Sequence, residues 1–177
     1  MTDDRLTALR SGFDEAFARP PVEPAGDVEN LLVVRVAGDR YAFRLRALAG
    51  VARAGRIVPV PGPVAESLGL AAVGSTLVPA YRLGPFLGYP EDRDPPRWLV
   101  VCGGNDARAA LGVGHFEGWA DVDAADVAAA DDRTRREHVR EVVRTAAGVC
   151  GVVDVRSVLE AVGRRAAAAA RGEGVTP

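Results

Sequence analysis

The chain has 177 residues, 48% of them hydrophobic and 26% charged, with a formal net charge of −2. That length holds one domain or two closely packed subdomains and can bury a substantial core. The charge balance excludes the basic stripe of a nucleic-acid binder, and no apolar run approaches the roughly 18 residues that span a bilayer.

Residues 3–18 read as a helix. Leu6, Leu9, Phe13 and Phe17 recur at three- and four-residue spacing and share one face. Asp3 and Asp4 suit the positive helix N-terminus. With no apolar signal core there, a cytoplasmic location is expected. Pro20 and Pro21 stop the helix, and residues 20–29 form a linker. From Asn30 the pattern turns β. Leu31–Val36 is an apolar, β-branched run, Gly38-Asp39 signals a turn, and Tyr41, Phe43 and Leu45 alternate with Ala42 and Arg44. Leu48, Val51 and Ile57–Val60 continue in short pieces. Pro59, Pro61 and Pro63 then impose an extended connector.

Val64–Leu68 reads as one helical turn ended by Gly69. Gly74-Ser75 is a tight turn, and Leu77–Val78 a strand with Pro79 at an edge or end position. Arg82–Leu87 is a short helical turn closed by Gly88. Trp98–Cys102 and Ala109–Val113 are strands around a turn at Gly103-Gly104-Asn105-Asp106, and Phe116–Val122 is a further strand carrying Trp119. An acidic, Ala-rich segment and a solvated charged loop at residues 133–138 follow. Val139–Thr145 and Val149–Val153 make the last hairpin. Asp154 or Ser157 caps a C-terminal helix, Ser157 with Glu160 having capping-box spacing, and Val158, Leu159 and Val162 form its buried face. Residues 166–170 have high helix propensity but little to bury, so the end frays near Gly172. Many short strands, with helices only near the two ends, place the chain in the all-β class.

The sequence offers little to a catalyst. His115 and His138 have no partners at metal-ligand spacing and read as solvated or hydrogen-bonded structural histidines. None of Ser11, Ser67, Ser75 and Ser157 sits in a G-x-S-x-G elbow. Gly112, Gly114 and Gly118 miss the dinucleotide spacing by one residue and lack a following helix. The acidic pairs Asp121/Asp123 and Asp131/Asp132 lack the rest of a calcium loop. Cys102 and Cys150 sit in apolar runs as buried, reduced thiols. Binding is favoured over catalysis, and no cofactor or metal is expected.

The stretch from Gly69 to Leu83, GLAAVGSTLVPAYRL, is mostly apolar and bent by glycine. It resembles the CheW family of adaptors, whose pattern here is G-V-x-N-L-R-G-x-x-x-P-V-x-D-L. Gly69, Leu70, Val73, Thr76, Leu77, Val78, Pro79 and Leu83 match it without gaps. Leu31–Val36, Gly38, Tyr41, Phe43, Leu48 and Val51 match upstream. Trp98–Cys102, Leu111–Val113, Gly148, Val152–Val155 and Val158-Leu159 match downstream. The polar signature departs. Gly74 stands at the family's Arg, Ser75 at its second Gly, Ala72 at its Asn, Arg82 at its Asp, and Gly50 at its acidic position after the first hairpin. The Asp after the third apolar run falls near His115.

The resemblance implies an all-β fold of two small, intertwined five-stranded β-barrels with a hydrophobic groove between them, to which the residue pattern adds an N-terminal helix, outside the minimal family domain, and a C-terminal helix. Together the residue pattern and the resemblance divide the chain into an N-terminal helix and Pro-rich linker (1–29), a CheW-like domain (30–163) and a frayed Ala/Arg/Gly-rich tail (164–177). The resemblance itself implies a non-enzymatic adaptor coupling a chemoreceptor's cytoplasmic tip to the regulatory domain of a CheA-like histidine kinase. Neither nucleic acid nor direct membrane insertion is involved. Leu48, Gly69, Val73, Gly74, Ser75 and Pro79 are the expected partner-binding residues. The alternatives are a divergent adaptor with altered partners in a non-chemotactic pathway, and a β-barrel enzyme or small-molecule binder.

Overall fold

The computed structural model describes residues 28–90, 94–103, 108–131, 134–146 and 148–172. The expected N-terminal helix, most of its linker, and residues 104–106 of the middle turn lie outside the described residues. Within them the chain forms twelve strands and one α-helix. β1 (Val28–Val36) and β2 (Asp39–Arg44) make the first hairpin. Its turn is Ala37-Gly38, at φ 51° and 92°, the two positive values a type I′ turn needs. The turn therefore comes one residue before the Gly38-Asp39 signal, and Asp39 already pairs with Val36.

The chain then crosses to a second sheet. β3 (Leu48–Arg53), β4 (Ile57–Val58), β5 (Ser67–Val73), β6 (Thr76–Arg82), β7 (Trp98–Cys102) and β8 (Ala109–Val113) join in the order β3-β7-β8-β6-β5-β4. The rest of the chain returns to the first sheet. β9 (His115–Asp123), β10 (Val127–Ala129), β11 (Val139–Thr145) and β12 (Gly148–Val153) give the order β10-β11-β12-β2-β1-β9. The second sheet is thus one continuous insertion between β2 and β9. The helix α1 (Val155–Gly172) closes the structure.

The five-stranded barrels are corrected to two six-stranded sheets whose ladders stay open among the described residues. The physical reason lies in the end strands. β4 has two residues and runs into Pro59, Pro61 and Pro63, which cannot donate to a ladder, and β10 has three residues. The expected helical turn at Val64–Leu68 is a single turn, Ser67 N–H donating to Val64 C=O at 3.0 Å, and Gly69 already lies inside β5. The expected turn before Gly88 is a 3-10 helix, Gly84–Leu87.

One core joins both sheets to the helix. Leu32, Val34 and Phe43 of the first sheet meet Val100, Cys102 and Leu111 of the second, with Leu83, Phe86 and Leu87 between them and Val155, Val158 and Val162 of α1 on top. Smaller clusters fill the other face of each sheet, one around Leu31, Val33 and Cys150, the other around Ala71, Val78 and Leu99. Asp154, not Ser157, caps α1, its carboxylate accepting from Ser157 N–H at 3.0 Å. Ser157 is engaged elsewhere, its Oγ lying 2.8 Å from His138 Nδ1. Helix α1 runs unbroken to Gly172, where the sequence places its end. Arg165 holds it down by pairing with Glu66 and lying 4.6 Å over the Phe86 ring.

Candidate functional site

The β4–β5–β6 corner presents its outer face to solvent. Register places Val58, Leu70 and Pro79 in one cross-strand row and Ala72 and Leu77 in the next. Strand alternation turns these residues away from buried Ala71 and Val78. Val58 is 46% exposed and Leu77 63%, so the face is an apolar surface of the kind that marks docking sites. Beside it a hollow of about 170 Å³ opens between the prolines at 61 and 63, Leu70, Pro79 and Tyr81.

Two glycines shape this corner. A Cβ on Gly69 would lie 2.1 Å from Val58 O and 2.8 Å from Pro59 Cα, and its φ is +112°. Only glycine lets β5 approach the β4 backbone so closely. Gly74 takes φ +58° at the first central position of the Val73–Thr76 hairpin loop, as a type II′ turn requires, and has open space around it. Pro79 lies within β6, but pairing with β8 starts only at Ala80. Locally Pro79 is therefore at an edge, as expected, and its missing N–H breaks no bond on that side.

The six expected partner residues do not form one surface. Gly74, Ser75 and Pro79 reach it together. Val73 is half-buried and packs on the inner side of the sheet, and Gly69 is buried. Leu48 begins β3, pairs with Cys102 and packs on the shared core. Two strands separate it from β6, so it sits about 14 Å away at the usual strand spacing.

The polar groups are structural. Glu117 of β9 bridges Arg35 and Arg40, with Arg40 Nε 2.7 Å from its carboxylate. These two arginines, Arg40 first, hold its carboxyl below the ordinary carboxylate range. Arg44 bridges Glu29 and Glu141, both at 2.7 Å. Burial pushes the Cys102 thiol up to about 12, so it carries no reactive thiolate. The contact between Ser157 and His138 resembles a nucleophile–base pair. However, His138 is 1% exposed, and its ring packs against Phe86, leaving no route for a substrate. His138 is therefore a hydrogen-bonded core residue. The reading of 133–138 as wholly solvated is corrected at its last position.

The sequence reading missed one surface. Trp119 is 59% exposed on β9. The signal was present, because residues 119, 121 and 123 share one strand face and two of them are aspartates.

A family model described as "CheW-like domain" matches residues 30–163. The chain belongs to the CheW-like domain family. It is a family of chemotaxis adaptors and scaffolds, and no helix among the described residues is long and apolar enough to cross a membrane. The scaffolding protein TtCheW from Thermoanaerobacter tengcongensis shares the fold with a TM-score of 0.63. At 14% identity, the match covers 72% of this chain and 89% of that one. None of the curated proteins matches. In this CheW-like chain the apolar motif residues build the β5–β6 corner, while most of the altered ones surface on it. Ala72 and Ser75 are exposed where the family carries Asn and Gly, and Gly74 is exposed where it carries Arg. Arg82 replaces the family's Asp and donates from Nη1 to the Asp94 carbonyl at 3.1 Å.

Proposed function

We propose that this protein is a non-enzymatic cytoplasmic adaptor that couples the cytoplasmic tip of a chemoreceptor to the regulatory domain of a CheA-type histidine kinase. The observation that carries the reading is the CheW-like match over 30–163, joined to an exposed apolar corner built from that family's own motif. The docking surface centres on Gly74, Ser75 and Pro79, with Gly69 shaping it from beneath, Val73 supporting it from the inner side of the sheet, and Leu48 belonging to a separate contact on β3. Residues 1–29 precede this adaptor domain and 164–177 follow it. Such a surface needs matched apolar patches with polar rims, and no catalytic group. Titrating the full chain with the kinase regulatory domain and with the receptor tip tests the proposal. Binding to both is expected, and no binding to either at tens of micromolar protein sinks it.

A second reading has its own observation. The exposed positions Ala72 and Gly74 have lost the family's Asn and Arg side chains, which suits an adaptor with altered partners in a non-chemotactic pathway. Gly74→Arg separates the two. Gly74 is exposed and nothing lies within 4 Å of the added Cβ, so the substitution carries mainly a backbone cost of about 1 kcal/mol. The second reading expects receptor affinity to appear in this variant where the parent has none, and an unchanged null result counts against it.

A further inference from the structure

A cavity of about 180 Å³ opens where β6 and β8 end and β7 begins. Register explains the hollow. Arg82 pairs with Gly112, and Arg97 N–H donates to Val113 C=O at 3.1 Å, one residue before the Trp98–Val113 pair. Arg82, Gly112, Gly114 and Arg97 therefore share one face of the β6–β8–β7 ladder. It is the face of Val78 and Ala80, opposite Leu77 and Pro79, so the cavity is separate from the docking corner. The two arginines stand two strand spacings apart, about 10 Å across the ladder, and the glycines between them leave the floor without side chains. Gly112 lets Pro96 close over the sheet, because an added Cβ would meet Pro96 Cβ at 2.9 Å. Gly114 has nothing within 4 Å of its Cβ position.

The lining joins positive charge to apolar walls. Arg82 Nη1 donates to the Asp94 carbonyl at 3.1 Å, which steadies the side chain without neutralising it. Arg97 is exposed and borders the same cavity. Among the described lining residues Asp94 carries the one carboxylate, so the two guanidiniums leave a net positive charge. The Tyr89 ring forms a fixed wall, its hydroxyl donating to Asp39 and its face carrying the Arg136 guanidinium at 4.7 Å. Four lining residues are prolines, at 85, 90, 95 and 96. Proline has no N–H, which disfavours a phosphate that needs donors on every side. A guanidinium fork suits a carboxylate, and a cavity of about 150 Å³ already admits benzene. We propose that this cavity binds a small carboxylate of about the size of benzoate. Its anionic end lies between the Arg82 and Arg97 guanidiniums, and its apolar body rests against Pro85, Pro96 and Tyr89.

The test needs neither kinase nor receptor, so its outcome is separate from that of the adaptor reading. The isotope-labelled full chain is titrated with benzoate, benzamide and inorganic phosphate, and backbone amide shifts are followed by NMR. Benzoate is expected to move the Gly112 and Gly114 amides with a dissociation constant of about 1 mM at low salt. Benzamide keeps the shape without the charge, and phosphate the charge without the ring. Each is expected to bind at least about tenfold more weakly. Arg97→Gln should weaken benzoate by about tenfold. Gly114→Leu fills the open floor at an exposed position and should abolish the shifts. Benzoate binding no tighter than benzamide or phosphate overturns the proposal. So do benzoate shifts confined to other strands, or undiminished binding in Gly114→Leu.

Discussion

Gly69→Ala adds one methyl group where none fits, and its consequence can be worked from the geometry. The new Cβ meets Val58 O at 2.1 Å and Pro59 Cα at 2.8 Å. Both are backbone atoms, so no side chain can swing aside. The φ of +112° alone disfavours any L-residue by about 1–2 kcal/mol. Relieving the contact pushes β4 off β5 and strains the Ile57–Ala71 and Val58–Leu70 pairs, at about 1 kcal/mol per hydrogen bond lost. The total is about 2–4 kcal/mol. With a urea slope of about 2 kcal/mol/M, the unfolding midpoint should fall by about 1–2 M. Gly74→Ala is the internal control. Its φ is also positive but its Cβ meets nothing, so about 1 kcal/mol and a shift of about 0.5 M are expected. Equilibrium urea unfolding of the three proteins, followed by far-UV circular dichroism, decides the matter. A Gly69→Ala shift no larger than that of Gly74→Ala would refute the close-approach argument.

Two further outcomes follow from the core. Burial holds His138 below its ordinary pKa of 6.5, with Arg164 and Arg165 acting in the same direction and Glu137 and Asp154 opposing them. A folded-state pKa below the unfolded one makes the unfolded chain the better proton binder. Stability from this group is therefore complete above about pH 6.5 and declines as pH falls through that value toward the lower folded pKa. Urea midpoints between about pH 7.5 and 5.5 should fall for the parent and vary less for His138→Gln; equal slopes would contradict this. Phe86→Ala removes a fully buried ring that touches both His138 and Arg165, and should destabilise by about 3–5 kcal/mol in the same assay.

Strands bounded by strong turn residues were legible in the sequence. Trp98–Cys102, Ala109–Val113 and Val139–Thr145 match in both bounds because each is a short apolar or alternating run between breakers. The segment at Ser67–Val73 was harder, because small residues at Gly69, Ala71 and Ala72 flatten its alternation and hide the strand's start. Barrel closure was not legible, since whether β9 meets β10 or β3 meets β4 depends on pairing between distant segments. Ser157 misled as a cap because its hydroxyl is claimed by His138, a tertiary contact without a local signal. In the candidate site, the motif residues from Gly69 to Pro79 were found as a block. Sequence could not tell that Gly69 shapes the surface from below while Gly74 and Ser75 stand on it, nor that Leu48 lies strands away.

The most direct test of the adaptor reading is whether the full chain binds both partners at once. Analytical ultracentrifugation of this protein with a kinase regulatory domain and a receptor-tip fragment measures that. A three-component species sedimenting faster than either binary complex is expected at concentrations up to tens of micromolar. Free components, or two binary complexes that exclude each other, would contradict it.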